Sequence, residues 1–341
     1  MQGMKIIGTG SYLPSVVKTN HDFAEYMDTS HEWIVSRTGI CERHFCAEGE
    51  NLHSMSMTAA NKAIDAAGID VSEIGACIVA TMFADNITPS EACLLQRDLG
   101  IHEEAMCFDM NAACSGFLYA MRVASGFVGY PENSACANTN VAENAEEGRK
   151  ADAKVSTNAK ASTNRPYVLV VGAERPSKIM DFNDRGTAIL FGDGAGAAIF
   201  CASDKPMYTT QGSIGDEQSL YCNNQEQIIH MEGQAVYRFA ATSIPRVVNN
   251  LLEQSGKSLE EIDSFLCHQA NKRIIDHSIR TLKAPAEKFY MNLDRVGNTS
   301  GASVPIALDE MVRSGALKRG DLLLCAGFGA GLTWGGALLE Y

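Results

Sequence analysis

Three residues in this chain are of types that together can handle an acyl group. The stretch "DMNAACSGFLYAM" (109 to 121) sets Cys114 between two alanines and a Ser-Gly pair, directly before a run that reads as a buried helix. With a helix over about 114 to 129, Cys114 sits at the first turn, where unpaired N–H groups and the helix dipole favour an anion. Its thiolate is therefore expected to be stabilised. The small neighbours Ala112, Ala113, Ser115 and Gly116 allow a tight strand-to-helix turn that lifts the sulfur into a cavity within reach of a slender thioester arm. A cysteine in an Ala/Gly-rich helix start also serves simply as packing. "CHQANKRII" puts His268 at the end of a buried strand, and "RVGNTSGASVPIAL" puts Asn298 in a Gly/Ser/Thr-rich turn entering another helix. Either alone reads as a satisfied core or capping group. Both at strand or turn ends, opposite a helix-start cysteine, point to nucleophilic chemistry.

The elements that must position them alternate along the chain. Apolar, β-branched runs, "ACIVAT" (76 to 81), "YVLVVGAE" (167 to 174), "FLCHQA" (265 to 270) and "LLLCAGFG" (322 to 329), are separated by helical patterns such as "MTAANKAIDAAG" (57 to 68) and "ALDEMVRSGAL" (307 to 317). This is the rhythm of an α/β protein with largely parallel, buried strands. An internal echo links "VSEIGACIVAT" (71 to 81) with "LEEIDSFLCHQ" (259 to 269), and "FGDGAGAAIF" (191 to 200) with "GFGAGLTWGGALL" (327 to 339). Two related halves are expected, 1–205 carrying the cysteine and 206–341 carrying the histidine and asparagine. Residues 131–165 are poor in large apolar side chains and read as a surface insertion with a short helix around 142 to 154.

Composition narrows the function classes. The 341 residues are 45% hydrophobic and 20% charged, an ordinary globular mix able to bury a sizeable core. Eleven cysteines without a CxxC pair favour neither a disulfide framework nor a zinc site, and most are expected to be small buried hydrophobes. The formal charge of −13 argues against general nucleic-acid binding. The start "MQGMKIIGTGSYLP" has no signal-peptide pattern, and no apolar run approaches the ~18 residues of a membrane span. A soluble, cytoplasmic protein is expected.

The motifs "IIGTGSYLP", "DTSHEWIVSRTGICERH", "NAACSGF", "DRGTAILFGDGAGAA", "HQANKRII", "GNTSGASVP" and "GFGAGLTWG" follow one another in an order that resembles the β-ketoacyl-acyl-carrier-protein synthase III family of the thiolase superfamily. The match covers nearly everything outside 131–165. The resemblance implies a five-layered αβαβα fold, a homodimer and a Cys-His-Asn triad falling on Cys114, His268 and Asn298. The implied chemistry is acylation of Cys114 by an acyl-CoA primer, then decarboxylation of a malonyl thioester carried by acyl carrier protein. His268 and Asn298 hold the enolate, and the backbone N–H groups of Cys114 and Ala330 hold the tetrahedral oxyanion. Acyl-CoA is a substrate, and no metal or other cofactor is called for. "GNTSGAS" offers Asn298 where elongating ketosynthases have a second histidine, which favours the priming, CoA-using branch.

Substrate positions carry over in the same way. Trp33 matches a residue that stacks on the CoA adenine, with Arg185 on its other side and Arg37 near the phosphates. Asn271 matches a hydrogen bonder of the pantetheine arm. Gln234, next to Gly233, stands where such members often have Asn. Thr88 falls where some members place a partner-subunit Phe that caps a short acetyl pocket, so the primer is expected to extend to longer or branched acyl groups. From Asn271 to Lys288, Lys272, Arg273, Arg280, Lys283 and Lys288 face only Asp276 and Glu287. With Arg238, the members Lys272, Arg273 and Arg280 are candidates for docking an acidic carrier protein; a solvated helix face is the plainer reading. The alternatives are a related condensing enzyme of secondary metabolism, or a non-catalytic thiol sensor on the same fold. A helix of about 16 residues starting at Cys114 carries its far end roughly 24 Å from the sulfur, which sets 131–165 away from the chemistry. Replacing 133–163 by a short Gly/Ser linker is expected to leave the steady-state rate within about threefold. A tenfold fall in a variant that still folds would place the segment at the site.

Overall fold

A computed structural model describes residues 3–128 and 165–341. The insertion and its expected short helix lie outside the described residues except for Arg165, whose guanidinium reaches Glu104 and His102. The chain runs through β1 (Gly3–Tyr12), β2 (Val16–Thr19), α1 (His31–Thr38), β3 (Glu42–Phe45), α2 (Leu52–Ala67), β4 (Ile74–Ala80), α3 (Glu91–Leu99), β5 (Met106–Met110) and α4 (Gly116–Phe127). It continues with β6 (Tyr167–Glu174), β7 (Gly194–Ser203), β8 (Tyr208–Asp216), β9 (Leu220–Cys222), β10 (Ile229–Met231), α5 (Gly233–Ser255) and β11 (Ser264–Cys267). Then follow α6 (Lys272–Leu282), β12 (Phe289–Tyr290), α7 (Leu293–Val296), α8 (Ser303–Ser314), β13 (Leu322–Gly329) and β14 (Gly331–Glu340).

Two five-stranded sheets form the frame, ordered β1-β7-β6-β4-β5 and β12-β11-β13-β14-β8. Read from opposite edges they have the same plan. The pairs β4–β5 and β4–β6 are parallel while β6–β7 and β1–β7 are antiparallel, and β11–β12, β11–β13, β13–β14 and β14–β8 repeat that pattern. The strands are thus mixed rather than largely parallel. The Gly-rich β7 and β14 return as antiparallel strands, a direction that apolar composition does not encode. Helices α4 and α8 pack between the sheets, α2 and α3 cover the outer face of the first, and α5 and α6 cover the second. The five layers follow from burying both faces of each sheet. Of the ten described cysteines, five are buried, while Cys93 and Cys222 are exposed, so the expectation that most are buried holds for only half of them.

The middle layer is pressed onto the first sheet at glycines. A Cβ on Gly196 would lie 2.5 Å from the Ile306 backbone nitrogen, and one on Gly172 would lie 2.7 Å from the Gly301 carbonyl. Only glycine allows α8 and the turn before it to come this close. Polar contacts then lock the register. Asp309 on α8, 1% exposed, accepts from Thr9 (2.9 Å), Ser11 (2.6 Å) and Arg313 (2.8 Å). Asp309→Ala leaves two hydroxyls on β1 without this acceptor and is expected to lower unfolding stability by about 2–4 kcal/mol. Urea denaturation measures it, and a loss below ~1 kcal/mol would show that the contact does not hold α8.

Candidate active site

Cys114 follows β5 through a turn that the sequence forces tight. Ala113 takes a left-handed φ of 47°, rare for a residue with a Cβ, and its N–H donates to Asn111 Oδ1 at 3.0 Å. The residues Ala113–Ser115 form a 3₁₀ turn, and the α-helix begins only at Gly116. Cys114 therefore stands ahead of α4 and not in its first α-turn. The Thr333 hydroxyl, against Ala112 O (3.3 Å), Ser115 Oγ (3.1 Å) and Ala330 O (3.0 Å), ties this turn to the loop joining β13 and β14. Within that loop region a Cβ on Gly329 would come 2.7 Å from the Cys114 nitrogen, so glycine keeps the space before that N–H open. Ala330 lines the same cavity as Cys114.

The expectation of a stabilised thiolate is not met. Cys114 is 7% exposed, and burial pushes its thiol up to about 12, with the Glu174 charge adding to the rise and the Ser300 contact opposing it. Loss of water outweighs the local N–H groups.

His268 comes one residue after β11, held by its N–H on Ala326 O at 2.8 Å. Its Nδ1 lies 2.6 Å from Ser303 Oγ at the start of α8, and that oxygen also takes the Gln269 N–H at 3.4 Å. With the Ser303 hydroxyl donating to Nδ1, the ring proton lies on Nε2. Phe328 packs edge-on at 5.4 Å. Burial drops the imidazole to about 3, so the ring is neutral. Asn298 is fixed by a bridge to Phe191, its N–H donating to Leu190 O (2.9 Å) and its carbonyl accepting from Gly192 N (3.0 Å). Its Oδ1 accepts the Ser300 N–H at 2.9 Å, leaving the Nδ2–H₂ group as the donor available to a ligand. Under this loop the fully buried Arg43 donates to Asn20 Oδ1 (2.9 Å) and to Ile189 O.

Three connected spaces run past these groups. An outer groove of about 560 Å³ is lined by Trp33, Arg37, Arg185, Gly233, Gln234, Arg238, Asn271 and Arg273. It narrows to a neck of about 90 Å³ that includes Gly233, Asn271, His268, Asn298, Gly329 and Cys114. Past Cys114 it widens to about 400 Å³ between Met82, Phe83, Ile179, Phe191, Leu220 and Ile229. The structure thus brings together every expected triad and CoA-contact residue along one path.

Several positions differ in detail from expectation. The Arg185 guanidinium lies 4.5 Å from the Trp33 ring centre and donates to Asp28 O at 2.9 Å, so a base can stack between them only if Arg185 swings outward. Arg37 flanks the same ring at 5.7 Å, one helical turn along α1. The Asn271 side chain caps α6 by accepting from Arg273 N (2.9 Å) and donates to Arg37 O (3.1 Å), which engages the amide expected to meet pantetheine. Lys272 is paired with Asp276 at 2.7 Å, and Arg280 stands seven residues past the groove residue Arg273 on α6, about 10 Å along the helix. Thr88 is exposed and lines none of its own chain's three spaces, as suits a position expected to cap the pocket of a partner subunit.

Comparison with known proteins identifies the family. Family models described as 3-oxoacyl-[acyl-carrier-protein] synthase III match residues 153–214, and its C-terminal part matches 252–341. The chain is similar to β-ketoacyl-[acyl-carrier-protein] synthase III 1 of Vibrio parahaemolyticus, with 42% identity over 99% of both chains. The chain belongs to the β-ketoacyl-acyl-carrier-protein synthase III family. Among solved structures, the synthase III of Aquifex aeolicus superposes with a TM-score of 0.86 at 38% identity, covering 99% of this chain and 100% of that one. The priming β-ketosynthase of the R1128 polyketide pathway gives 0.85 at 32%, covering 99% and 97%.

Sequence reasoning missed three groups that contact Cys114, His268 or Asn298, namely Ser303, Ser300 and Gly329, and a fourth, Glu174, that meets Ser300. Ser300 and Ser303 sit inside the quoted "GNTSGASVP". Glu174 carried its own signal, an ionisable residue closing the otherwise apolar "YVLVVGAE". The neutral His268 sets a pH dependence. Unfolded, the ring takes up a proton below about pH 6.5, whereas the folded ring stays neutral down to about 3. Stability from this group is therefore lost as pH falls through that window. Between pH 7 and 5 the wild type is expected to lose about 2 kcal/mol more than His268→Gln. Parallel denaturation curves for the two proteins would show that the ring is not held neutral.

Proposed function

We propose that Cys114 takes the acyl group of an acyl-CoA primer and passes it to a malonyl thioester on acyl carrier protein, giving a 3-oxoacyl product that initiates fatty acid synthesis. The observation that carries this reading is the place of Cys114 at the junction of the neck and the inner cavity, with His268 and Asn298 lining the same neck. The arm enters from the groove, and its acyl tail extends past the sulfur into the apolar end. Acylation divides a difficult carbon–carbon bond formation into two steps. The Cys114 N–H, whose front is kept open by Gly329, and the Ala330 N–H hold the tetrahedral oxyanion. In the second step the malonyl carboxylate leaves as CO₂, and the enolate oxygen is held by His268 Nε2–H and the Asn298 amide. Neither donor is an imidazolium that would quench the carbanion. The carbanion attacks the acyl carbon and Cys114 is released. No metal or cofactor takes part.

On this reading Trp33, Arg185 and Arg37 hold the nucleotide, and Gly233, Gln234 and Asn271 line the arm. Arg238, Arg273 and Lys272, around the groove, meet the acidic carrier protein, while Arg280 contributes only to its wider field. The inner cavity of about 400 Å³ supports primers longer than acetyl, each added methylene gaining about 0.8 kcal/mol when buried. On this reading the reaction runs in the cytoplasm. Among the described residues no helix is long and apolar enough to cross a membrane. A homodimer through β5 is supported by the position of that strand at a sheet edge, with Met106 57% exposed and Ile87, beside Thr88, fully exposed.

Incubation with an equimolar acyl-CoA panel, followed by intact-protein mass measurement, is expected to give one acyl adduct that disappears in Cys114→Ser. His268→Ala and Asn298→Ala are expected to retain the adduct while condensation falls on the order of 10²-fold or more. An adduct on another cysteine, or condensation at the wild-type rate in either alanine variant, would overturn the assignment.

A further inference from the structure

A thiol held at about 12 needs somewhere to send its proton when it attacks. The neighbouring groups form one short path. Cys114 Sγ lies 3.4 Å from Ser300 Oγ, and the Ser300 hydroxyl donates to Glu174 Oε1 at 3.2 Å. Ser300 has a single proton, so with that proton on the carboxylate its lone pair faces the thiol. The path is built on two facing turns that both hold a residue with a Cβ in the left-handed region, Ala113 (φ 47°) and Ser300 (φ 49°). Such strain persists where the surrounding structure imposes it, and it clusters at working sites. Glu174 ends β6, is 1% exposed, and is held by the Met82 N–H at 3.1 Å and the Thr81 hydroxyl at 3.4 Å. A Cβ on Gly301 would lie 3.2 Å from its Oε1, so the turn carrying Ser300 closes directly over the carboxyl.

We propose that Ser300 and Glu174 form a proton relay for acylation: as Cys114 attacks the acyl-CoA, its thiol proton passes to Ser300 Oγ while the Ser300 proton passes to Glu174. The S–H bond breaks, the sulfur–acyl bond forms, and the CoA–acyl bond breaks with its electron pair on CoA sulfur. Glu174 then returns the proton through Ser300 as CoA leaves as a thiol. Ser300 touches the reacting sulfur, and Glu174 is a positioning residue acting through it. The inference rests on Cys114 being the acylated residue.

Burial sets Glu174 at about 8, because desolvation outweighs the donors around it. The titratable groups facing the path are Cys114 before α4, Glu174 on β6 and His268 after β11. Next to Glu174, Asp193 at the start of β7 is bonded to the Cys46 N–H and to Ser177, and Arg175 bears on the same Cys46. The relay accepts a proton only when Glu174 is ionised, so the acylation rate rises with pH through about 8 and levels off above it.

The test is stopped-flow acylation by acyl-CoA, read as adduct mass against pH, beside single-turnover condensation of enzyme acylated beforehand by long incubation. Glu174→Gln copies the protonated side chain, so a merely structural role leaves it acylating normally. The relay predicts acylation at pH 8 lower by about 10²-fold, loss of the plateau, and condensation within about threefold of wild type. Ser300→Ala, the smaller change, is expected to lose the plateau in the same way. Normal acylation with an intact plateau in either variant overturns the relay, as does an equal fall in both half-reactions. A wild-type protein that forms no Cys114 adduct would instead refute the proposed function.

Discussion

The removal of water around Cys114 is the constraint on which the rest of the structure depends. At that point the protein buries a thiol, an imidazole and a carboxyl side by side, 7%, 1% and 1% exposed at Cys114, His268 and Glu174. Low dielectric disfavours every charged form, so the thiol and the carboxyl are pushed up and the imidazole down. Those directions suit a carbanion reaction. A neutral ring donates a hydrogen bond without surrendering a proton, and the same dry space keeps water from an acyl thioester. A helix terminus alone does not supply this environment; two sheets packed through a shared helical layer do.

The fold builds the dry space by placing strand ends against one another. Cys114 follows β5 and Glu174 closes β6 in one sheet, while His268 follows β11 and Gly329 closes β13 in the other. Strand carboxyl ends in parallel pairs meet at one edge of a sheet, where loops and helix starts converge. The middle layer completes the set, because the turn leading into α8 carries Asn298, Ser300 and Ser303 between the two sheets. Glycines at 172, 196 and 329 let backbone stand where side chains would otherwise separate the layers. An alanine at any of these positions acts on distance first and on chemistry only through it.

Much of this was legible in the residues. The runs "YVLVVGAE" and "LLLCAGFG" coincide with β6 and β13, and the echo between 71–81 and 259–269 corresponds to β4 and β11 at equivalent places in the two sheets. Cys114, His268 and Asn298 stood out because each breaks a local pattern, a thiol among alanines or a polar group at the end of an apolar run. What escaped the reading depends on distances between segments far apart in sequence. Ser300 and Ser303 look like turn and cap residues until the fold sets one against the thiol and the other against the imidazole. The ionisation of Cys114 was misread because helix-end electrostatics is local and visible, whereas desolvation is a property of the finished packing. The contact of Arg185 with Trp33 escaped for the same reason, since only the folded loop brings its guanidinium onto the ring.

On the proposed reading, negative charge forms in the cavity in succession on sulfur, on the oxyanion of acyl transfer and on the enolate oxygen. Like charges formed close together in a buried site repel more strongly than in water. The donors are divided accordingly. On the same proposed reading, the backbone N–H groups of Cys114 and Ala330 are fixed dipoles for the oxyanion that do not titrate, and the side-chain donors of His268 and Asn298 serve the enolate. On the proposed relay the Glu174 carboxyl takes up a proton as the thiol gives one away, so the acylation step itself adds no second charge to the cavity.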